Sequence, residues 1–562
     1  MNKRFLVLCF GAAAALASCV KVDNSLGKGL VDKSLLFDTY TETFPLEYIE
    51  LRASEDLSGY SDTRLTIGAI RDSHFGLTTR EAAFTLIPAL DTIDLGTNPK
   101  AVSFTLCFEA DTVSCADDSQ AYILQNIYVT ELTEQLPLSS GDTRNTREIA
   151  HSTELITDGL PVYGGSGSLE FNFSQEFATK YMNMLKEVGP YFIDRQEDDD
   201  EGNDDESKSK YDQIVASMPG IHIRTDEPVG LGGRINMFNF SCLTVSSNYY
   251  RRNDNVGKLK VNSTWNGVQK DSTFLIIPGE PTLYDESSYL QDNLKFYQYC
   301  FNRTTQSTVP GPVPSSGDIL VEGGGGLKPV ITARELQEKT MSVIESKGGL
   351  ADKAVILKAT IVLPFEMPDN YEDFKYYPSI LSPTIQTTTK DDDGVEYTSF
   401  AGLTDASVST EDQGDIDRST LKYSPDITYH LQEILSREDL DEKDDADVWL
   451  LTIHTNKVAN ASGSYYDNSY LQSLMYASYY NSLYGGGYGY GGYGYGYGGY
   501  GGYGYSNYYN YMMLAAMMSS STTQTYSYSN ELDKDRYYHA VLNGYDKERA
   551  PYFQVTFAIP KE

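Results

Sequence analysis

The sequence predicts a mainly β protein built as sandwiches or barrels, with a few short amphipathic helices. Residues 102–108, Val-Ser-Phe-Thr-Leu-Cys-Phe, alternate between apolar and more polar side chains. This period of two is typical of a strand with one buried face. Similar short runs recur between Gly, Asp, Asn and Pro turns along the chain. Such spacing favours sandwiches or barrels over a parallel sheet with crossover helices.

Nine further runs are rich in residues that favour strands. They are Leu65–Ala69, Ala83–Ile87, Tyr122–Thr130, Gly220–Arg224, Arg234–Thr244, Ser272–Ile277, Val355–Leu363, Val448–Thr455 and Tyr552–Ala558.

Three amphipathic helices are predicted to pack on sheet edges. The first is capped by Ser174 and stops at Gly189, the second opens with a capping box of Thr332 and Glu335, and Pro425-Asp426 opens the third. Their apolar stripes are Phe177, Tyr181 and Leu185; Leu336, Val343 and Ile344; and Ile427, Leu431 and Ile434.

The N-terminus has the pattern of a secretory signal. Lys3 and Arg4 precede an apolar run, which ends in Leu16-Ala17-Ser18-Cys19 and is too short to span a bilayer. The last four residues resemble the bacterial lipobox. We expect residues 1–18 to be removed, Cys19 to carry lipid, and residues 19–44 to form a lipidated tether. An ordinary secretory signal with a chance cysteine is the alternative.

The composition is strongly acidic, with 44 Lys and Arg against 79 Asp and Glu and a net charge of −35. Loss of Lys3 and Arg4 with the signal leaves −37. A general field of this sign disfavours nucleic acid and anionic lipid surfaces as partners. We therefore expect no nucleic-acid partner.

The cysteine pattern indicates neither zinc nor a redox motif. Apart from Cys9 and Cys19, the cysteines are Cys107, Cys115, Cys242 and Cys300, without C-x-x-C or zinc spacing. An extracytoplasmic setting permits a Cys107–Cys115 disulfide across a hairpin; free thiols are the alternative. No metal or other cofactor is expected.

Two low-complexity segments interrupt the strands. The acidic loop 197–210 fails the EF-hand pattern, since Lys208 stands at position twelve, so a solvated loop is favoured over a calcium site. The Gly/Tyr-rich loop 480–528 contains Tyr484–Tyr505, which is almost entirely Gly and Tyr. Because a good strand follows, the tract is predicted to be a loop between two strands. If the tract has a function, we expect self-association, glycan stacking or contact with a partner protein. The alternative is a repeat expansion without function in a loop that tolerates it.

No motif for catalysis emerges. The histidines His74, His151, His222, His430, His454 and His539 lack zincin spacing, and no G-x-S-x-G or P-loop pattern occurs. The run Gly323–Lys328 is followed at once by Pro329, so we expect no helix N-terminus facing a phosphate there. Acids are abundant, and a glycosidase-like carboxylate pair stays open.

The segment Ile67–Gly76 resembles the LG-x-x-x-D-x-x-FG motif of the DUF4270 family of Bacteroidota lipoproteins. Gly68, Asp72, Phe75 and Gly76 match the motif, and Ile67 departs from it. Ile123–Leu132, Gly220–Ile223, Ile319–Ile331 and the helix after Thr332 resemble further family segments in the same order. The resemblance implies an outer-membrane lipoprotein with no established activity. Gly76 and Phe75 are expected to serve a tight turn and the core, respectively. Asp23 is the only acid just after Cys19, so periplasmic and surface exposure both stay open.

A second resemblance concerns the fold. Val102–Phe108 with Tyr122–Glu131, and Asp426–Gln432 with Val448–Thr452 and Pro551–Ala558, resemble pieces of DNRLRE-type jelly rolls, modules associated with polysaccharide binding. This resemblance implies two jelly-roll-like β-sandwich halves, residues 45–290 and 291–562.

Three sites resemble the Asp-Ser/Thr-apolar acceptor of Bacteroidota O-glycosylation. They are Thr92, Thr112 and Ser272, each preceded by Asp. We treat them as candidate modification sites.

The sequence leaves three functions open. We favour a non-catalytic lipoprotein in the outer membrane that binds a glycan or an outer-membrane protein. A structural or adhesive protein that assembles through its Gly/Tyr-rich loop is the second. A glycoside hydrolase with an unmarked acid pair is the third.

Overall fold

The computed structural model describes fifteen stretches of the chain. They are residues 37–61, 64–88, 93–115, 118–136, 143–189, 216–218, 220–240, 257–279, 300–390, 396–403, 405, 413–438, 440–441, 444–459 and 526–560.

The strands before residue 280 are numbered in chain order. They are β1 (Phe37–Pro45), β2 (Ile49–Ala53), β3 (Tyr60–Ser61), β4 (Arg64–Asp72), β5 (Gly76–Pro88), β6 (Thr97–Phe108), β7 (Ala110–Cys115), β8 (Gln125–Leu132), β9 (His151–Leu155), β10 (Val162–Tyr163), β11 (Leu169–Asn172), β12 (Ile221–Thr225), β13 (Gly232–Asn239), β14 (Gly257–Trp265) and β15 (Val268–Gly279).

The remaining strands and the helices follow the same numbering. The strands are β16 (Cys300–Gln306), β17 (Gly311–Pro312), β18 (Ile319–Glu322), β19 (Leu327–Ile331), β20 (Val355–Pro364), β21 (Ile380–Lys390), β22 (Glu396–Gly402), β23 (Ile416–Asp417), β24 (Lys422–Tyr423), β25 (Val448–Ala459), β26 (Tyr526–Leu532), β27 (His539–Leu542) and β28 (Tyr552–Pro560). The helices are α1 (Gln175–Val188), α2 (Ala333–Ser346) and α3 (Thr428–Ile434), with single 3₁₀ turns at Asp118–Gln120, Ala351–Lys353 and Tyr371–Tyr376.

The predicted fold class is confirmed: the protein is mainly β, with several antiparallel sheets and a β-sandwich arrangement. The largest sheet runs β10-β8-β12-β5-β15-β14-β6-β11, with further strands branching from it. A second sheet runs β17-β2-β19-β25-β21-β22, and a third β1-β28-β20-β24-β23. Strands β18 and β27 form a separate pair.

The first hydrophobic core lies between the largest sheet and α1. The ring centroid of Phe104 on β6 lies 5.1 Å from that of Tyr181 and 4.5 Å from that of Phe173. The Tyr181 hydroxyl donates to the Leu86 carbonyl at 3.0 Å. This bond lets a tyrosine be fully buried among phenylalanines, since its polar atom keeps a partner.

The second core draws on both ends of the chain. Strand β1 pairs along its whole length with β28, from Phe37 opposite Pro560 to Pro45 opposite Tyr552. The predicted tether, residues 19–44, therefore ends earlier than expected. Its last part is rich in β-branched threonine and completes the edge of a sheet.

Several strand pairings cross the predicted boundary at 290/291. Strand β2 pairs with β17 and β19, whereas β16 pairs with β3 and β5. The two cores are therefore not built from two consecutive stretches of chain.

The predicted helix caps are confirmed for α1 and in part for α2. The Ser174 hydroxyl accepts from the Phe177 N–H at 3.1 Å, and Gly189 ends α1. The Thr332 hydroxyl accepts from the Glu335 N–H at 3.3 Å. The second half of the predicted capping box is wrong, because Glu335 turns away from Thr332.

Two carboxylates tie α2 to the N-terminal strands instead. Glu335 accepts from the Glu47 and Tyr48 N–H groups at 2.9 and 3.2 Å. Asp447 accepts from the Ala333 N–H at 3.0 Å and from Arg52 at 2.7 Å. An acid at a helix N-terminus is favourable because it faces unpaired N–H groups, and these two also join distant parts of the chain.

The Gly/Tyr-rich loop connects two paired strands. Strands β25 and β26 are antiparallel, with Ala459 opposite Tyr526. The residues of the loop before Tyr526, and the acidic loop 197–210, lie outside the described residues.

A helix that spans a membrane needs about 20 mostly apolar residues. None of the helices in the described ranges is long and apolar enough to cross a membrane.

We expect Gly68→Ala to destabilise the fold far more than Gly159→Ala. Both glycines have positive φ, 147° and 79°. A β-carbon at Gly68 would lie 2.2 Å from the Arg234 carbonyl oxygen, whereas nothing lies within 4 Å at Gly159. Backbone strain alone should lower the free energy of unfolding by about 1 kcal/mol at Gly159, and the clash should raise the loss at Gly68 to roughly 3 kcal/mol or more. Equal losses in urea denaturation would contradict the packing of β4 on β13.

Candidate functional site

A four-glycine turn, Gly323–Gly326, links two strands that belong to different sheets. Strand β18 pairs with β27, and β19 pairs with β2 and β25. At Gly324, where φ is 59°, a β-carbon would lie 2.3 Å from Nη2 of Arg80. At Gly325 it would lie 2.3 Å from Oδ1 of Asn145. Glycine is needed at these two positions because the Arg80 and Asn145 side chains lie too close to the backbone to leave room for a β-carbon.

The Lys328 side chain folds back under this turn. Its ammonium donates to the carbonyls of Glu322, Gly324 and Gly326, the last two at 3.2 Å. Lys328 is only 1% exposed. Burial lowers its pKa from 10.5 to about 7, while the negative charge of Glu322 acts in the opposite direction. The glycine carbonyls therefore serve as the hydrogen-bond acceptors of a buried cation.

Arg80 on β5 is the second buried cation. It is 1% exposed and donates through Nη1 to the Thr304 hydroxyl and to the Lys534 carbonyl. Burial lowers the pKa of Arg80 to about 10, and the carboxylates of Asp535, Asp533 and Glu322 oppose that effect. These three acids are thus the counter-charges of the guanidinium.

The three acids are themselves held by hydrogen bonds. Glu322 accepts from the Thr308 hydroxyl at 2.6 Å and from the Leu327 N–H at 2.9 Å, and burial raises its pKa. Asp535 accepts from Ser61 at 2.7 Å and from Asn302 at 3.0 Å. Asp533 accepts from the Tyr538 hydroxyl at 2.8 Å and from the Arg536 N–H at 2.9 Å. We call Arg80, Glu322, Lys328, Asp533 and Asp535 the charged junction.

Several buried polar atoms around the junction have no hydrogen-bond partner among the described residues. They are Nε and Nη2 of Arg80, the side-chain amide of Asn145, Oε1 of Glu322, the Tyr537 hydroxyl and Nδ1 of His539. Buried polar groups are nearly always hydrogen-bonded, often to ordered water. The chemistry of these atoms suits ordered water molecules, which both donate and accept.

The predicted motif residues Asp72, Phe75 and Gly76 lie in a hairpin next to the junction. Asp72 accepts from the His74 and Phe75 N–H groups at 2.7 and 3.1 Å, which closes the turn between β4 and β5. Gly76 has a φ of 65°. Phe75 is 1% exposed, and its ring lies 5.6 Å from that of His539 on β27. The hairpin therefore abuts the strand that follows the two junction aspartates.

The two cysteines of the predicted disulfide lie on strands with different partners. Cys107 on β6 stands opposite Glu170 of β11, and Cys115 on β7 stands opposite Arg234 of β13. The disulfide stays a prediction.

The candidate modification sites are scattered. Thr112 lies on β7 opposite Met237, and Ser272 is half-buried on β15 opposite Val261. Thr92 and the predicted lipidation site Cys19 lie outside the described residues. All of these modifications stay predictions.

The sequence did point to the Gly323–Lys328 run, but as a rejected phosphate loop. That rejection is confirmed, because β19 follows the glycines as a strand. The sequence did not predict that the carbonyls of this run bind the Lys328 ammonium. The signal for it was the run Glu322, four glycines, Leu327 and Lys328, which places a carboxylate and an ammonium on either side of a glycine turn.

A metal site needs several ligating side chains held close together. Within the part of the chain that the structure describes, no three His, Cys, Asp or Glu side chains come together as metal ligands.

Comparisons with protein-family models, with curated proteins and with solved structures find no match to this chain.

We expect Lys328→Met to remove a pH dependence of stability above neutral pH. The folded-state pKa of about 7 lies below the unfolded value of 10.5. Between these values the unfolded chain binds more protons, so wild-type stability rises with pH by up to about 1.4 kcal/mol per unit. Urea denaturation from pH 7 to 9 measures the slope.

The exposed Lys358→Met variant is the control and should keep the wild-type slope. An unchanged slope in Lys328→Met would show that Lys328 stays fully protonated in the folded protein across this range, contrary to the lowered pKa.

Proposed function

We propose that this chain is a non-catalytic outer-membrane lipoprotein of the DUF4270 type, anchored through Cys19, whose β body binds a partner in the cell envelope. The partner is a glycan or an outer-membrane protein. The anchor rests on the lipobox-like sequence before Cys19, and the setting rests on the ordered series of motifs from Ile67 to Ile331.

The observation that favours a non-catalytic role is how the charged junction uses its groups. Both oxygens of Asp533 and both of Asp535 accept hydrogen bonds from protein donors, and the two residues are 2% and 5% exposed. A hydrolytic acid pair must face a substrate across a cleft. These carboxylates are instead buried, and their charges oppose the effect of burial on the pKa of Arg80. The buried carboxylates of the charged junction therefore support a structural role.

The interleaved strands support a rigid binding body. Strand β1, which follows the tether, is paired over nine residues with β28. A pulling force between a lipid on Cys19 and a bound partner would therefore act on β1. The antiparallel hydrogen bonds between β1 and β28 would oppose it.

We expect Cys19→Ala to abolish lipid labelling and membrane retention. In the native host, cells fed an alkyne fatty acid should yield a labelled wild-type protein that sediments with membranes. The variant should be unlabelled, because a thioether to diacylglycerol needs the Cys19 sulfur. Cys9→Ala, which alters only the predicted signal, is the matched control and should be labelled.

Partner binding is read in the same cells with a short amine-reactive cross-linker. Wild type should give a discrete larger species that disappears in Cys19→Ala. Labelled Cys19→Ala protein would contradict the anchor, and a wild-type chain that stays uncrosslinked would contradict an outer-membrane protein as the partner.

A further inference from the structure

Three neighbouring loops at one end of the largest sheet expose large apolar side chains. The loops are residues 118–124, 158–167 and 226–233. Val229 is fully exposed, and Tyr122, Leu124 and Leu231 are 70–76% exposed. We call the exposed set the apolar rim; it comprises Tyr122, Leu124, Leu160, Val162, Val229 and Leu231.

The loops form one continuous surface. Val162 of the second loop pairs with Asn126, just after the first loop. A β-carbon at Gly164 would lie 3.7 Å from Leu124, and one at Gly232 would lie 2.9 Å from Gln120. Each loop therefore contacts a neighbour, and the apolar side chains lie on adjoining segments.

A fully buried arginine fixes the backbone of this surface. Arg234 donates to the carbonyls of Ala121 and Ile123 at 2.8 and 2.7 Å and to that of Tyr163 at 3.1 Å. Its Nε donates to Asn236 at 2.7 Å. Breaking these bonds would leave a buried charge without partners, which is strongly unfavourable. The rim is thus presented by a rigid frame, which reduces the entropy lost on binding.

The charged residues within the three loops are all acidic; Arg71 of β4 lies beside them and donates to the Pro228 carbonyl at 3.1 Å. The three loops contain Asp118, Asp158, Asp226 and Glu227 and no Lys or Arg. Asp158 and Glu227 are exposed, whereas Asp226 is bound to Asn126 and Tyr128. An acidic border repels anionic lipid, and it repels a second copy of this chain. It favours a partner with basic groups.

The apolar chemistry points to protein rather than glycan. Five of the six rim side chains are aliphatic, and Tyr122 is the only aromatic among them. Sugar rings are bound mainly by stacking on aromatic faces and by polar groups. Contiguous exposed aliphatic side chains are typical of protein–protein contact sites.

We infer that the apolar rim is the docking surface for an envelope protein that presents an aliphatic patch flanked by Lys or Arg. This inference rests on the proposed function and chooses the protein alternative.

Site-specific photo-cross-linking tests it. A p-benzoylphenylalanine is placed at Val229 in the full-length protein in its native host, with Val309, which is 81% exposed outside the rim, as the control position. The expected result is a protein adduct from position 229 and none from 309. Mass spectrometry of the cross-linked partner peptide should find aliphatic residues next to Lys or Arg.

Surface variants sharpen the test. Leu124→Ser with Leu231→Ser, and separately Asp158→Lys with Glu227→Lys, should each reduce the adduct at least tenfold. The matched control, Leu350→Ser with Leu357→Ser, changes two leucines that are 55% and 51% exposed elsewhere and should leave it unchanged.

Four results would overturn the inference: an adduct with a second copy of the chain, an adduct with lipid, equal adducts from both positions, or insensitivity to the rim variants. If the amine-reactive cross-linker still yields a discrete species in cells carrying the rim variants, only the rim assignment fails. If wild type yields none, the protein-binding alternative of the proposed function fails as well.

Discussion

The burial of two cations between the cores is the constraint on which the rest of the structure depends. Taking an ammonium or guanidinium out of water costs on the order of several kcal/mol per ion after relaxation. Lys328 and Arg80 are both about 1% exposed, so their charges depend on hydrogen-bond acceptors and counter-charges inside the protein. Carbonyls of the Gly323–Gly326 turn surround Lys328, and the acids of the charged junction oppose Arg80. Gly324 is then required, because a β-carbon there would lie 2.3 Å from Nη2 of Arg80.

This constraint explains why distant segments meet. Arg80 lies on β5 of the first core, Lys328 on β19 of the second, and Asp533 and Asp535 follow β26. The exchanged strands also join the two cores, since β2 pairs within the second sheet and β16 pairs within the largest sheet. The two cores are therefore held as one unit. Such a unit presents the apolar rim at a fixed position relative to strand β1.

Sequence patterns predicted the local features and missed the long-range ones. Period-two alternation identified β6, and hydroxyl caps identified the starts of α1 and α2, because these signals lie within a few residues. The start of α3 was predicted in part, since Asp426 accepts from the Thr428 N–H at 2.9 Å, but a second acid also caps it. Asp405 accepts from the Tyr429 and His430 N–H groups at 2.6 and 3.1 Å, a cap supplied from more than twenty residues upstream. Likewise, Arg80 and Asp535 are separated by most of the chain, and no periodicity relates them. The exposed loops of the rim have no strand or helix period either.

Hydrogen exchange of the full-length protein in increasing urea, read by mass spectrometry, tests most directly whether the charged junction unites the two cores. Peptides from β6 report the first core and peptides from β28 the second. If the junction and the exchanged strands couple the cores, both sets lose protection at the same urea concentration, and Arg80→Met shifts both midpoints down together. Separate midpoints in the wild type, or an Arg80→Met shift confined to β6, would contradict the account.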